Sequence, residues 1–247
     1  MSVALNEVAA VILAGGFGTR IRHLLRDLPK PMAPVAGRPF VEWVVRYLAH
    51  QGVTRVVLST GYLAEVIADH FIAHPIPGVS VTCVPETTPL GTGGGVIHAA
   101  RNAGGTPPAA WLILNGDSLV FADLSRAVQA LAESSVAGVI LGRQIEDASR
   151  YGTLATDTAG NLLSFQEKRP GSGVINTGIY LLRHELLDEF PAPRPLSIEQ
   201  DVFPWLIQRG RRLQVVPTDA PFLDIGTPES LPQADAFISG NQSQFLI

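Results

Sequence analysis

The sequence predicts an α/β fold: a Rossmann-like, mostly parallel mixed sheet with helices on both faces and a small β extension over the site. Three observations lead there. The apolar run from Val8 to Ala14 is cut off at once by Gly15 and Gly16, so it is too short for a helix and reads as a buried parallel strand. Strand-length apolar runs then alternate with stretches of helical period, the rhythm of βαβ units. After Tyr151 this gives way to short, hairpin-like strands that read as an addition to the sheet. A chain of 247 residues, 46% hydrophobic and with no linker-like stretch, is long enough for one large core, so residues 1–247 are expected to form one domain.

Each element has its own signal. Phe40, Val41, Val44, Val45 and Leu48 recur at helical spacing and stop near Gly52, giving the first crossover helix. Residues 55–59 read as the second strand, 63–71 as a helix and 79–84 as the third strand. His70 and His74 lie at metal-ligand spacing on that helix, but Pro75 and Pro77 end it and no further ligand is near, so a solvated helix end is expected. A glycine-rich stretch then opens into a helix over 96–101, followed by a strand at 111–114, a helix at 124–132 and a strand at 137–141. Strands are expected from Tyr151 and over 162–166 and 174–182. Ser197 should cap a helix, with Gln200 three residues on as its capping-box partner, and a short strand at 222–224 should lead into the last helix.

Composition narrows the partners. A net charge of −4 gives no general attraction to nucleic acid or to anionic lipid, so neither is expected as a partner and any cation that matters must be local. The single cysteine, Cys83, excludes an internal disulfide and reads as a small buried hydrophobe. No cleavable leader and no membrane-length apolar run is present, so a cytoplasmic protein is expected. A homo-oligomer is compatible with the sequence.

The chemistry gathers at the ends of predicted strands. Gly15, Gly16 and Gly18 follow the first strand, where a loop without side chains can bring backbone amides against phosphate oxygens; Arg20 adds a planar cation. Lys30 stands between Pro29 and Pro31, which restrict where its ammonium can go. The third strand delivers Glu86, and Gly91, Gly93, Gly94 and Gly95 around Thr92 suggest a flat surface for a base or ribose. Two apolar strands end in aspartates, Asn115-Gly116-Asp117 and Leu223-Asp224, at the sheet edge where open α/β sheets bind ligands. A carboxylate there suits Mg²⁺, which takes one or two carboxylates plus phosphate oxygens and water. The dinucleotide fingerprint fails because its last glycine is Ile21, and the Gly-Lys-Ser/Thr of a Walker loop is absent.

The pattern L-A-G-G-x-G-T-R followed by P-K-P resembles the signature of the sugar-1-phosphate nucleotidyltransferases, and further elements follow in the same order as far as about Leu231. The resemblance implies the nucleotide-diphospho-sugar transferase fold. It also implies a nucleotide site containing Leu13, Ala14, Gly15, Gly16, Gly18, Thr19, Arg20, Lys30, Glu86, Gly91, Thr92, Gly93 and Asn115, with Mg²⁺ held by Asp117 and Asp224. Arg20, Lys30 and Asp117 would be the catalytic groups. Tyr151, Gly152, Glu167, Lys168, Asn176, Thr177 and Gly178 would line the sugar-phosphate site. The expected substrates are a nucleoside triphosphate, GTP by preference, and a sugar 1-phosphate. Hexose-specific members commonly carry P-L-T before the P-K-P element; residues 21–28 depart from this. That run, with PLGTGG, NGDS, RYGT, NTGIYLL and FLDIGTPE, resembles the D-glycero-α-D-manno-heptose 1-phosphate guanylyltransferases of bacterial surface-glycan synthesis. Mannose-1-phosphate guanylyltransferases and hexose-1-phosphate uridylyl- or thymidylyltransferases share most of these words and remain the alternatives.

Overall fold

The first apolar run is strand β1 (Val8–Ala14), and alternation along it divides the interior in two. Val8, Ala10, Ile12 and Ala14 face one hydrophobic cluster, while Ala9 and Val11 face the other. A strand buried on both faces needs helices on both sides, which explains its continuous apolar character. The computed structural model describes residues 4–25, 27–149, 151–166, 170–191 and 195–245. Its further strands are β2 (Pro34–Val35), β3 (Arg38–Pro39), β4 (Arg55–Thr60), β5 (Ser80–Pro85), β6 (Ala110–Asn115), β7 (Ser118–Val120), β8 (Val136–Ile145), β9 (Thr153–Thr156), β10 (Leu162–Gln166), β11 (Gly173–Arg183), β12 (Arg212–Thr218) and β13 (Phe222–Asp224). The α-helices are α1 (Arg22–Leu25), α2 (Phe40–His50), α3 (Ala64–Ala73), α4 (Gly91–Asn102), α5 (Leu124–Leu131), α6 (Phe203–Gln208) and α7 (Ala234–Ser239).

Among the described residues, nine strands form one sheet. Its path runs β10-β9-β11-β6-β1-β4-β5, with β8 paired to β11 and β12 to β8. Strands β6, β1, β4 and β5 are mutually parallel, and β11 enters antiparallel to β6. The long β11 joins the two parts: Ile179 to Arg183 pair with β6, while Ile175 pairs with Thr153 of β9. The predicted β extension is therefore the far edge of the same sheet, with no separate layer of its own.

Three local expectations change. Helix α4 starts at Gly91, before the apolar periodicity begins at Val96, so the glycines form its first turn. Ser197 does cap its helix, its hydroxyl accepting the Gln200 N–H at 3.1 Å, but the reciprocal acceptor is Asp201, whose Oδ2 takes the Ser197 N–H at 2.7 Å. The helix it opens is a π-turn, Ile198–Val202, continuous with α6. His70 is not a solvated helix end: its Nε2 lies 2.8 Å from Oε2 of the buried Glu42, whose Oε1 also accepts from Arg38 and Arg46.

Glu42 thus staples α2 to α3. Burial pushes its carboxyl up, and the hydrogen bonds from Arg46 and His70 with the charges of Arg38 and Arg46 outweigh that and hold it below the usual 4.5. Removing one partner of a buried charge cluster costs about 3 kcal/mol, so Glu42→Gln is expected to destabilise the fold by that order in urea unfolding. A depressed folded value means the contribution is present above the unfolded value and lost as pH falls through the folded one, so variant and wild type should converge in acid.

Candidate active site

The carboxyl ends of β1, β5 and β6 open into a cavity of about 430 Å³ lined by the 13–20 stretch, Lys30, Pro31, Glu86, Pro89, Gly91, Thr92, Asn115, Gly116, Asp117 and Gly226. Of the expected nucleotide residues, all but Gly93 border it. The loop after β1 can follow its course because Gly18 has φ +57°, and a Cβ there would stand 2.8 Å from Cβ of Lys30. Any side chain at 18 would displace the lysine stem. Lys30 itself is buried in a 3-10 turn, Lys30–Met32, whose Ala33 N–H closes on the Lys30 carbonyl.

The lysine ends on a carboxylate. Nζ of Lys30 lies 2.5 Å from Oδ2 of Asp117, whose Oδ1 accepts from the Ser118 hydroxyl at 3.1 Å. Strand β13 pairs antiparallel with β7, setting Asp224 opposite Ser118 and so beside Asp117. Burial pushes the Asp224 carboxyl above its usual range and the Asp117 charge adds to this, against Lys30, the Gly226 N–H at 2.5 Å and Arg20. The Lys30 ammonium is committed to Asp117, and together with Arg20 it does not offset the burial and like charge that hold the Asp224 carboxyl up. The two carboxylates fit a hard divalent cation completed by phosphate oxygens and water.

Glu86 borders the cavity with its carboxylate already engaged: Oε1 accepts from Ser59 Oγ at 2.8 Å and Oε2 from the Leu90 N–H at 3.1 Å. Packing also requires glycine at three of the positions after it. Gly91 has φ +72° and abuts the Leu196 carbonyl, a Cβ on Gly93 would stand 2.8 Å from Val202 Cγ2, and one on Gly95 would stand 2.7 Å from Glu86 Oε1. Gly93 therefore faces the 196–202 segment, to which its N–H donates at Leu196, and not the cavity.

The sugar-side expectations divide. Tyr151, Gly152, Asn176, Thr177 and Gly178 do not border the cavity, although Gly178 abuts Asn115, which does. Thr177 is buried and its hydroxyl donates to the Leu141 carbonyl at 2.8 Å, so its side chain is turned into the sheet. Glu167 and Lys168 lie outside the described residues. Sequence reasoning passed over Phe17, half exposed at the loop tip and 5.9 Å from the Tyr62 ring, and Ser59, which anchors Glu86. A serine inside an otherwise apolar strand was the available signal for the second. Cys83 is half-buried, burial pushes its thiol up, and it stands apart from the cavity.

Comparison with known proteins gives the family. A family model described as nucleotidyl transferase matches residues 9–241. A D-glycero-α-D-manno-heptose 1-phosphate guanylyltransferase of Campylobacter jejuni is 35% identical over 89% of this chain and 95% of its own length. A mannose-1-phosphate guanylyltransferase of Mycobacterium tuberculosis is also 35% identical, over 95% of this chain and 65% of that protein. The crystal structure of HddC from Yersinia pseudotuberculosis complexed with GMP-PN superposes with a TM-score of 0.82 at 33% identity, covering 93% of this chain and 99% of that one. With the family model spanning nearly the whole sequence and a full-length relative at this identity, the chain belongs to the nucleotidyl transferase family.

Proposed function

We propose that the chain, as one catalytic domain, joins D-glycero-α-D-manno-heptose 1-phosphate to the guanylyl group of GTP, giving GDP-heptose and pyrophosphate for bacterial surface-glycan synthesis. The observation that carries the transfer chemistry is Lys30 paired to Asp117 beside Asp224, under a glycine-rich loop that ends in Arg20. The heptose and GTP assignments are supported by the full-length relative and by the HddC complex with GMP-PN.

In this reading the sugar phosphate oxygen, already ionised, attacks the α-phosphorus in line, so no general base is needed. Both reactants are anions, and catalysis consists mainly of positioning and charge neutralisation. Arg20 receives the leaving β,γ-phosphates, and Lys30 the charge that builds at the α-phosphate. Asp117 and Asp224 would hold Mg²⁺, which when bound supplies Lewis-acid neutralisation of the phosphates. Asn176 and Gly178, with the backbone around Tyr151, Gly152 and Thr177, would border the sugar phosphate, together with Glu167 and Lys168. Among the described residues no helix is long and apolar enough to cross a membrane, in keeping with a cytoplasmic enzyme of small soluble substrates.

The test is incubation with GTP and heptose 1-phosphate, identifying GDP-heptose and pyrophosphate by mass. Turnover with mannose 1-phosphate but not with the heptose would move the sugar assignment, and turnover with UTP or dTTP in place of GTP would move the base.

Glu86 supplies a finer prediction. Guanine offers two donors, N1 and N2, to a carboxylate, and uracil offers one. A glutamine at 86 can keep both present bonds, Oε1 accepting from Leu90 and Nε2 donating to Ser59, so the loop stands and only the base edge changes. Glu86→Gln is expected to lower the preference for GTP over UTP roughly tenfold, the scale of one charged hydrogen bond. An unchanged kcat/KM ratio removes Glu86 as the base reader.

A further inference from the structure

Glu199 has no part in the chemistry above, yet its carboxylate ties Thr92 in the cavity wall to the buried Tyr180 of strand β11. It lies on the π-turn Ile198–Val202, between the start of α4 and strand β11. Oε1 accepts from the Tyr180 hydroxyl at 2.9 Å, and Oε2 accepts from the Ser197 hydroxyl at 3.0 Å and the Thr92 hydroxyl at 3.4 Å. Thr92 borders the cavity and also accepts the Ile198 N–H at 2.8 Å.

The link through Tyr180 has a direction. Tyr180 is fully buried, and burial with the Glu199 charge pushes its phenol well above the usual range, so it keeps its proton. A carboxylate can only accept, so that proton goes to Glu199. The phenol oxygen is left to accept, and it does so from Asn176 Nδ2 at 2.7 Å. This orients the amide: with Nδ2 toward Tyr180, Oδ1 faces Gly178 and accepts its N–H at 3.0 Å. The bonded segment is where β11 loses its regular pairing, between Asn176 and Tyr180, and where Gly178, at φ +76°, abuts the Asn115 side chain at the cavity wall. A backbone that has left the sheet ladder needs other bonds to hold it, and this chain of side chains provides them.

We infer that Glu199 is a positioning residue that, acting through Tyr180 and Asn176, holds the irregular turn of β11 in the shape that receives the sugar 1-phosphate. The inference rests on the proposed reaction, in which Asn176 and Gly178 border the sugar phosphate. A purely structural staple between the π-turn and the sheet would make the same bonds, but losing it would lower stability without singling out one substrate.

Tyr180→Phe cuts the link while keeping the ring packed on Phe203, 5.0 Å away. Glu199→Gln, an isostere, removes the acceptor-only terminus from the other end and serves as the second variant if the first does not fold. Two readouts are taken. Deuterium exchange of the peptide over 173–183 should quicken in both variants. The KM for sugar 1-phosphate should rise about fivefold in Tyr180→Phe while that for GTP stays within about twofold, the scale of one lost hydrogen bond. In the Glu199→Gln background Tyr180→Phe should add less than its effect alone, since both cut one chain. Folded variants with unchanged exchange, an equal rise in both KM values, or full additivity would overturn the positioning role. Wild-type protein that turns over no pair of substrates would instead overturn the reaction on which it rests.

Discussion

Turnover is expected to fall about a hundredfold in Asp117→Asn and in Asp224→Asn, the scale of one lost transition-state contact of roughly 3 kcal/mol. Asp117 follows β6 at the carboxyl edge of the main sheet, whereas Asp224, expected from the sequence at that same edge, ends β13 of a separate two-stranded ribbon whose pairing with β7 brings the two carboxylates side by side. The two variants should differ in stability. Asp224 is held above its usual pKa of 3.8, with burial as the largest cause, so its ionised form costs folding energy at neutral pH. An asparagine there keeps an oxygen for the Gly226 N–H and relieves that cost, so Asp224→Asn is expected to raise the melting temperature of the metal-free protein as it removes activity. The sign follows from the raised folded value: the cost is full above it, fades as pH falls through it and is gone below 3.8, so the gain should shrink in acid. Asp117→Asn deletes the like charge, and the Asp224 carboxyl should move back toward its usual range, measurable by carboxyl NMR. Near wild-type activity of either variant in Mg²⁺ would remove the paired-carboxylate site.

Lys30→Met is expected to lower kcat at least a hundredfold with a smaller effect on triphosphate affinity. The buried ammonium is fixed at 2.5 Å from Asp117 and its stem is packed under Gly18, so it has one place to act. A charge fixed before the substrate arrives favours the state in which charge builds up, and it needs no reorganisation as the reaction proceeds. Losing it also leaves Asp117 and Asp224 to repel one another with less compensation, so the pKa of Asp224 should climb further and the variant's activity should fall at a higher pH than that of wild type. Single-turnover kinetics at saturating GTP separates the two effects. Normal turnover at saturation with only weakened binding would show that Lys30 is an affinity residue.

What could be read from the sequence was what short-range chemistry writes into it. An apolar run ended by glycine can hardly be anything but β1 and its loop, and an aspartate closing an apolar strand is marked by the strand before it, as at Asp117 and Asp224. The signals that failed depend on partners distant in sequence. The glycines at 91, 93 and 95 show that room is needed, but not that Leu196, Val202 and Glu86 need it. The start of α4 was hidden because helical period becomes visible only when apolar residues begin at Val96. His70 looked solvated because its partner Glu42 lies 28 residues earlier, and Thr177 looked ligand-facing because the Leu141 carbonyl that takes its hydroxyl lies on another strand.

The central claim is that the site transfers the nucleotidyl group in a single displacement, by position and charge, with Lys30 as a paired ammonium and not as a nucleophile. Stereochemistry at the α-phosphorus tests it most directly. With GTP made chiral at that centre by α-thio substitution, one in-line attack by the sugar phosphate predicts a nucleotide-sugar of inverted configuration. Retention, which requires two displacements and hence a nucleotidyl group carried on a side chain of the protein, would contradict the account and point to Lys30 as its carrier.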